Sequence, residues 1–190
     1  MKRHIVRACA AVTIAVAAAA IALPAQERSA QDRPLRVVPA VDYEKYAGTW
    51  YEIARLPNRF EKKCVGDITA TYTVRSDGRI DVKNRCREAD GTDNDAAGIA
   101  RRVDGQPPSV LEVRFAPAFF SWLPMVWGDY QIIALADDYS HAVVGSPNRE
   151  YLWILARTPR ITDELYRSLL KAAEAQGFDT APMVKVQHGT

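Results

Sequence analysis

The sequence predicts an all-β chain: an eight-stranded antiparallel up-and-down β-barrel with one C-terminal α-helix packed outside it. Three observations carry this. Between positions 48 and 157, eight short runs of alternating apolar and polar residues are cut by turn residues. The first run opens on Gly48-Thr49-Trp50 and the last closes on Arg157, 107 positions after the tryptophan. An even number of up-and-down strands returns the chain to the end where it began. There the guanidinium can stack on the indole and seal one end of a barrel. A helical pattern follows the last run. A barrel sealed at one end and open at the other is a cup, which points to binding before it points to chemistry.

The elements read as follows. The first strand covers 48–56. The second, 67–74, alternates well and is rich in β-branched residues. Ser76-Asp77-Gly78 turns the chain into 79–86, with Ile80, Val82 and Asn84 on one face. Strands 96–103 and 110–115 are joined by a turn-rich Asp104-Gly105-Gln106-Pro107-Pro108. Strands 130–136, 141–145 and 151–157 complete eight. Thr162 then caps a helix whose first turn carries Asp163 and Glu164 against the helix dipole. Leu165, Leu169, Leu170 and Ala173 form its apolar stripe, and Gly177 stops it. A last extended piece, 183–186, is suited to pair with a sheet edge. No repeat, long linker or second domain is visible.

Ahead of the barrel, 1–25 reads as an export signal. Lys2, Arg3 and Arg7 precede an alanine-rich apolar stretch over 8–23, and Ala25 offers a small residue for cleavage. The stretch is short and weakly hydrophobic for a membrane span. Cys9 lies ahead of the apolar core, too early for a lipid-modified residue after a signal. The expectation is a soluble exported protein, periplasmic or secreted, with a flexible lead-in over 26–40 and the barrel domain over 41–190. Cleavage removes three of 25 basic residues and none of 23 acidic ones, turning a formal charge of +2 into −1. That balance gives no electrostatic case for nucleic acid. Cys64 and Cys86 remain, and in an oxidising compartment a disulfide is their default state, worth about 3 kcal/mol for a loop of this size. A metal pair or a catalytic thiol finds no His or Cys neighbours in support.

Three patches then resemble the lipocalin family, in particular its bacterial and apolipoprotein-D-like branch. Asp42-Tyr43-Glu44-Lys45-Tyr46-Ala47-Gly48-Thr49-Trp50-Tyr51-Glu52-Ile53-Ala54-Arg55 is similar to the family's Gly-x-Trp opening with its preceding helical turn. Asp138-Tyr139-Ser140-His141 is similar to the loop between strands six and seven. Tyr151-Leu152-Trp153-Ile154-Leu155-Ala156-Arg157-Thr158-Pro159 is similar to the last strand and its arginine. The resemblance implies a cup that binds small apolar ligands, and for this branch fatty acids and lysophospholipids. Bacterial relatives are often outer-membrane lipoproteins, whereas the lipid-attachment cysteine is missing here. Some relatives tie the first loop to the C-terminal tail by a disulfide. This tail has no cysteine, so the resemblance pairs Cys64 with Cys86.

Polarity tracked from Trp50 puts the loops after strands one, three, five and seven at the open rim. Alternation then assigns Tyr72, Val82, Phe115, Tyr130, Tyr151 and Trp153 to the ligand, with Trp127 added from the apolar rim loop, while Gly48, Trp50 and Arg157 form the closure. The competing reading is that such residues simply fill a small barrel. The apolar loop 117–127 contacts a membrane surface, an entering ligand or a second subunit, or else folds over the mouth as a lid. Arg59, Lys62, Lys63, Arg85 and Arg87 share the rim, either to attract a carboxylate or phosphate headgroup or as a solvated charged face. Catalytic signals are scarce: no nucleophile elbow, phosphate loop or paired metal motif appears. Glu52 projects inward if Trp50 does, as structure or as a base for an apolar substrate. The reading is a carrier without cofactor or metal, monomeric or weakly dimeric.

Overall fold

The computed structural model describes residues 33–121 and 123–189, so the expected export signal lies outside the described residues. A short helix α1 (Tyr43–Tyr46) leads into β1 (Gly48–Arg55), β2 (Cys64–Val74), β3 (Ile80–Glu88), β4 (Asp93–Arg102) and β5 (Val110–Arg114). The chain continues through β6 (Gly128–Leu135), β7 (His141–Gly145) and β8 (Leu152–Ala156) to the helix α2 (Asp163–Glu174) and a short β9 (Val184–Lys185). Neighbouring strands run antiparallel from β2 through β8 to β1, and β1 returns to pair with β2. The barrel is therefore closed. The eight expected strands, the capped helix outside them and the final edge pairing are all present.

Which faces are buried follows from where α2 lies. Thr162 accepts a hydrogen bond from the Leu165 amide and so caps the helix as expected. Leu169 and Ala173 then pack with Phe178 onto Ile133, Val143 and Ile154, on the outside of β6, β7 and β8. Those strands are covered on both faces, which is why His141–Gly145 and Leu152–Ala156 read as nearly continuous apolar runs. On the far side, β3 and β4 have one face in solvent. Ile80 and Val82 are buried while Asp81 and Lys83 are exposed. A second apolar cluster, which includes Tyr72, Leu111, Ile132 and Val144, lines the inside.

Three features depart from a regular barrel. First, a bulge between Glu52 and Ala54 shifts the β1–β8 register by one residue. Second, β1 pairs with β2 only over 48–51, and the C-terminal tail takes the place β2 leaves. The Val186 amide bonds to the Ile53 carbonyl, the Asp67 amide to the Gln187 carbonyl, and the Gly189 amide to the Asp67 carboxylate. Third, the lead-in expected to be flexible is pinned in its described part, 33–40. Leu35 is buried against the α2 side of the barrel, and the Val38 amide donates to the Ile132 carbonyl. The apolar side chains at 35, 37 and 38 explain the docking, since Leu35 and Val37 pack with the cluster under α2 and Val38 with the inner one.

Candidate functional site

The closed end is built around Arg157. Its guanidinium carbon lies 3.9 Å from the centre of the Trp50 ring, and Trp50 has no exposed surface. The fork donates to the carbonyls of Thr49, Lys45, Tyr46 and Ala47 at 3.0, 2.7, 3.1 and 2.9 Å. It thus neutralises the carbonyl end of α1, where the backbone has no partners of its own. Tyr139, held at φ 58°, turns its carbonyl toward Arg157, and its hydroxyl accepts from the Asp42 amide. Gly48 has φ +92°, and a side chain there would meet the Arg157 guanidinium at 3.4 Å. Each of the three sequence patches thus supplies a part of one stopper.

Above it lies a cavity of about 590 Å³, within the range of about 300–1,000 Å³ usual for small-molecule sites. Tyr72, Val82, Phe115, Tyr130, Tyr151 and Trp153 all border it, and alternation alone placed them there. Trp127 borders it only at the mouth. Its indole lies over the guanidiniums of Arg101 and Arg114, at 3.8 and 5.2 Å, both in the outward phase of β4 and β5. The lining is mostly apolar; besides Asn84, which was expected to face inward and whose buried Oδ1 has no hydrogen-bond partner among the described residues, it carries two polar clusters.

The first is a cluster of tyrosines next to the stopper. The Tyr130 hydroxyl sits 2.8 Å from that of Tyr46 and 2.9 Å from that of Tyr72. Burial drives all three phenols above their ordinary range, Tyr72 up to about 12, so they stay neutral hydrogen-bonding groups. Tyr46 comes from α1 and was not foreseen; a four-residue helix gives no periodic signal.

The second is a group of charges on the wall. Arg55 donates to Glu52 at 3.1 Å, and its Nε lies 3.2 Å from a Glu61 carboxylate oxygen as an ion pair. Asn58 and the Trp153 indole N–H also converge on the same Glu61 oxygen. Burial first, then the neighbouring Glu61 charge, push the Glu52 carboxyl well above the ordinary carboxylate range against the pull of Arg55. Glu52 was expected to face inward, and it does. Arg55 and Glu61 were missed. Strict alternation places residues 52 and 55 on opposite faces, and the bulge brings them to the same one. Glu61 arrives from the loop after β1, which has no period to read.

At the rim, Cys64 and Cys86 form a disulfide with Cα atoms 5.5 Å apart. Register alone sets Cys64 opposite Glu88, and the bulges at the start of β2 bring the two sulfurs together. The basic rim set is smaller than expected. Arg85 is clasped by Asp95 at 2.7 Å and Arg87 by Asp67 at 2.7 Å, so both are exposed cross-strand ion pairs rather than anion receptors. Arg59 lies against the Phe60 ring. In loop 117–127 the turn Pro124–Val126 borders the mouth, while Phe119 and Met125 are 69% and 85% exposed. Trp122 lies outside the described residues.

A closed antiparallel barrel, stoppered at one end and hollow behind an open rim, defines a cup-shaped ligand-holding protein. The chain belongs to the lipocalins: the lipocalin-like domain family matches residues 41–188, and that family holds small hydrophobic ligands. It is 38% identical over 175 residues to the outer membrane lipoprotein Blc of Escherichia coli K12, covering 92% of this chain and 94% of that one. It is 34% identical over 151 residues to apolipoprotein D of Mus musculus, covering 75% and 74%. The fold matches that of lobster apocrustacyanin A1 with a TM-score of 0.63 at 18% identity, over 83% of this chain and 92% of that one. Among the described residues, no helix is long and apolar enough to cross a membrane.

Proposed function

We propose that this lipocalin carries or stores a fatty acid or lysophospholipid in its lumen, in the periplasm or beyond the cell, as a carrier rather than an enzyme. The observation that supports this best is the lumen of about 590 Å³ with its mostly apolar lining. Each buried methylene contributes about 0.8 kcal/mol. An acyl chain of roughly fourteen carbons therefore gains about 11 kcal/mol gross, of which ordering and association remove about half or more. A dissociation constant of about 100 μM follows from hydrocarbon burial alone when about half is lost, and polar contacts at the headgroup add to it. In this reading Tyr72, Val82, Phe115, Tyr130, Tyr151 and Trp153 contact the chain, and Trp127 flanks its entrance.

Exposed Phe119, Phe120 and Met125 beside the mouth favour one addition. Loop 117–127 meets an outer-membrane surface while ligand passes, with Arg59, Lys62 and Lys63 turned to anionic headgroups. A second reading uses that loop on an envelope partner instead. Lipid extraction and native mass spectrometry of the purified protein separate the two. Co-purified fatty acid or lysolipid at one per chain is the expected result. A barrel that takes up no acyl lipid after incubation overturns the carrier reading.

A further inference from the structure

The wall charges remain unused by a purely apolar ligand. Glu52 and Glu61 both border the lumen, but Arg55, which joins them, opens into a separate cavity of about 410 Å³ in the rim. Their side chains are 5%, 15% and 11% exposed, respectively. One guanidinium between two carboxylates leaves one uncompensated negative charge in a poorly solvated wall, which is costly. Of the three, the two carboxylate residues border the lumen and Arg55 does not, while Glu61 borders both cavities. Nearer the rim, Arg85 borders the same cavity with its charge held by Asp95, and Arg59 lies on Phe60.

We propose that Glu52 and Glu61, backed by Arg55, form a recognition site for the ammonium group of a long-chain amine. The idea rests on the carrier reading's hydrocarbon-holding lumen and departs from it in the headgroup, a cationic amine in place of a carboxylate or phosphodiester. Without a cation in the lumen, Glu52 relieves the excess charge by holding a proton. The ammonium replaces that proton, which passes to the buffer, so charge is conserved in the wall. The charged and titratable groups facing Glu52 are Glu61, which is coupled to it across Arg55, Arg55 on its own strand, and Tyr72 of β2; burial bears most on Glu52. Tyr72 of β2 is pushed up to about 12. From the tail, His188 reaches only the Glu52 backbone carbonyl, at 2.8 Å.

The test compares dodecylamine, dodecanol and dodecanoate by titration calorimetry on the full-length protein, in two buffers of different ionisation heat. The amine is expected to bind about tenfold or more tighter than the alcohol. It should release close to one proton, and its advantage should grow as pH rises through the Glu52 titration. In Glu52→Gln, and independently in Glu61→Gln, the amine-to-alcohol ratio measured within each protein should collapse toward one, with proton release lost in Glu52→Gln. An alcohol that binds as tightly as the amine, with no proton released, overturns the ammonium site and leaves the carrier reading standing. Failure of all three probes to bind overturns the carrier reading itself.

Discussion

Arg157 does more than stack on Trp50: four backbone carbonyls end on its fork. A lysine keeps the charge but cannot serve that geometry. Arg157→Lys is therefore expected to cost about 2 kcal/mol, read as a lower urea midpoint at unchanged slope. Glu52 makes a prediction of opposite character. Its folded-state pKa lies above its ordinary 4.5, so the folded chain holds a proton that the unfolded chain releases. Its contribution is full below the ordinary value and is lost as pH rises through the folded one. Relative to Glu52→Gln, the wild-type melting temperature should fall progressively as pH rises above the ordinary 4.5 and through the raised folded-state value. A constant difference across that range would contradict the assignment. Residues at this scale were legible where they lie on an unbroken strand. Tyr72, Val82 and Tyr130 follow from period two, while Arg55 and Glu61 depend on a bulge and an aperiodic loop.

At the scale of elements, the strands announced themselves by alternation and the helix by its cap, stripe and stop. What alternation does not encode is which strands are covered outside. The continuous apolar runs of β7 and β8 were the available sign that a helix lies over them. The start of β2 was placed three residues late because bulges at Cys64 and Gly66 break the pattern there. The tail was foreseen as an edge pairing, but not as the piece that fills the gap where β1 and β2 part. Removing residues 183–190 is expected to cost about 2–4 kcal/mol, from several lost backbone hydrogen bonds. It should also raise hydrogen exchange at Asp67 and its neighbours, measured by mass spectrometry. Unchanged exchange in β2 would show that the tail merely rests on the barrel.

For the whole molecule, closure and hollowness are separate achievements. The stopper fixes strand number and polarity, and those could be inferred from Gly48, Trp50 and Arg157. Room inside an eight-stranded barrel could not be inferred, because side chains can fill it. The disulfide acts at this scale too, clasping β2 to β3 beside the mouth. Replacing Cys64 and Cys86 by serine should cost about 3 kcal/mol and lower the melting temperature by about 10 °C. The most direct test of the hollow, apolar lumen is calorimetric titration at several temperatures with a short-chain lysophospholipid below its micelle concentration. The expected result is saturation at one per chain with a clearly negative heat-capacity change, the mark of apolar burial. Saturable binding without that change, or no binding, would contradict a lumen that works by enclosing hydrocarbon.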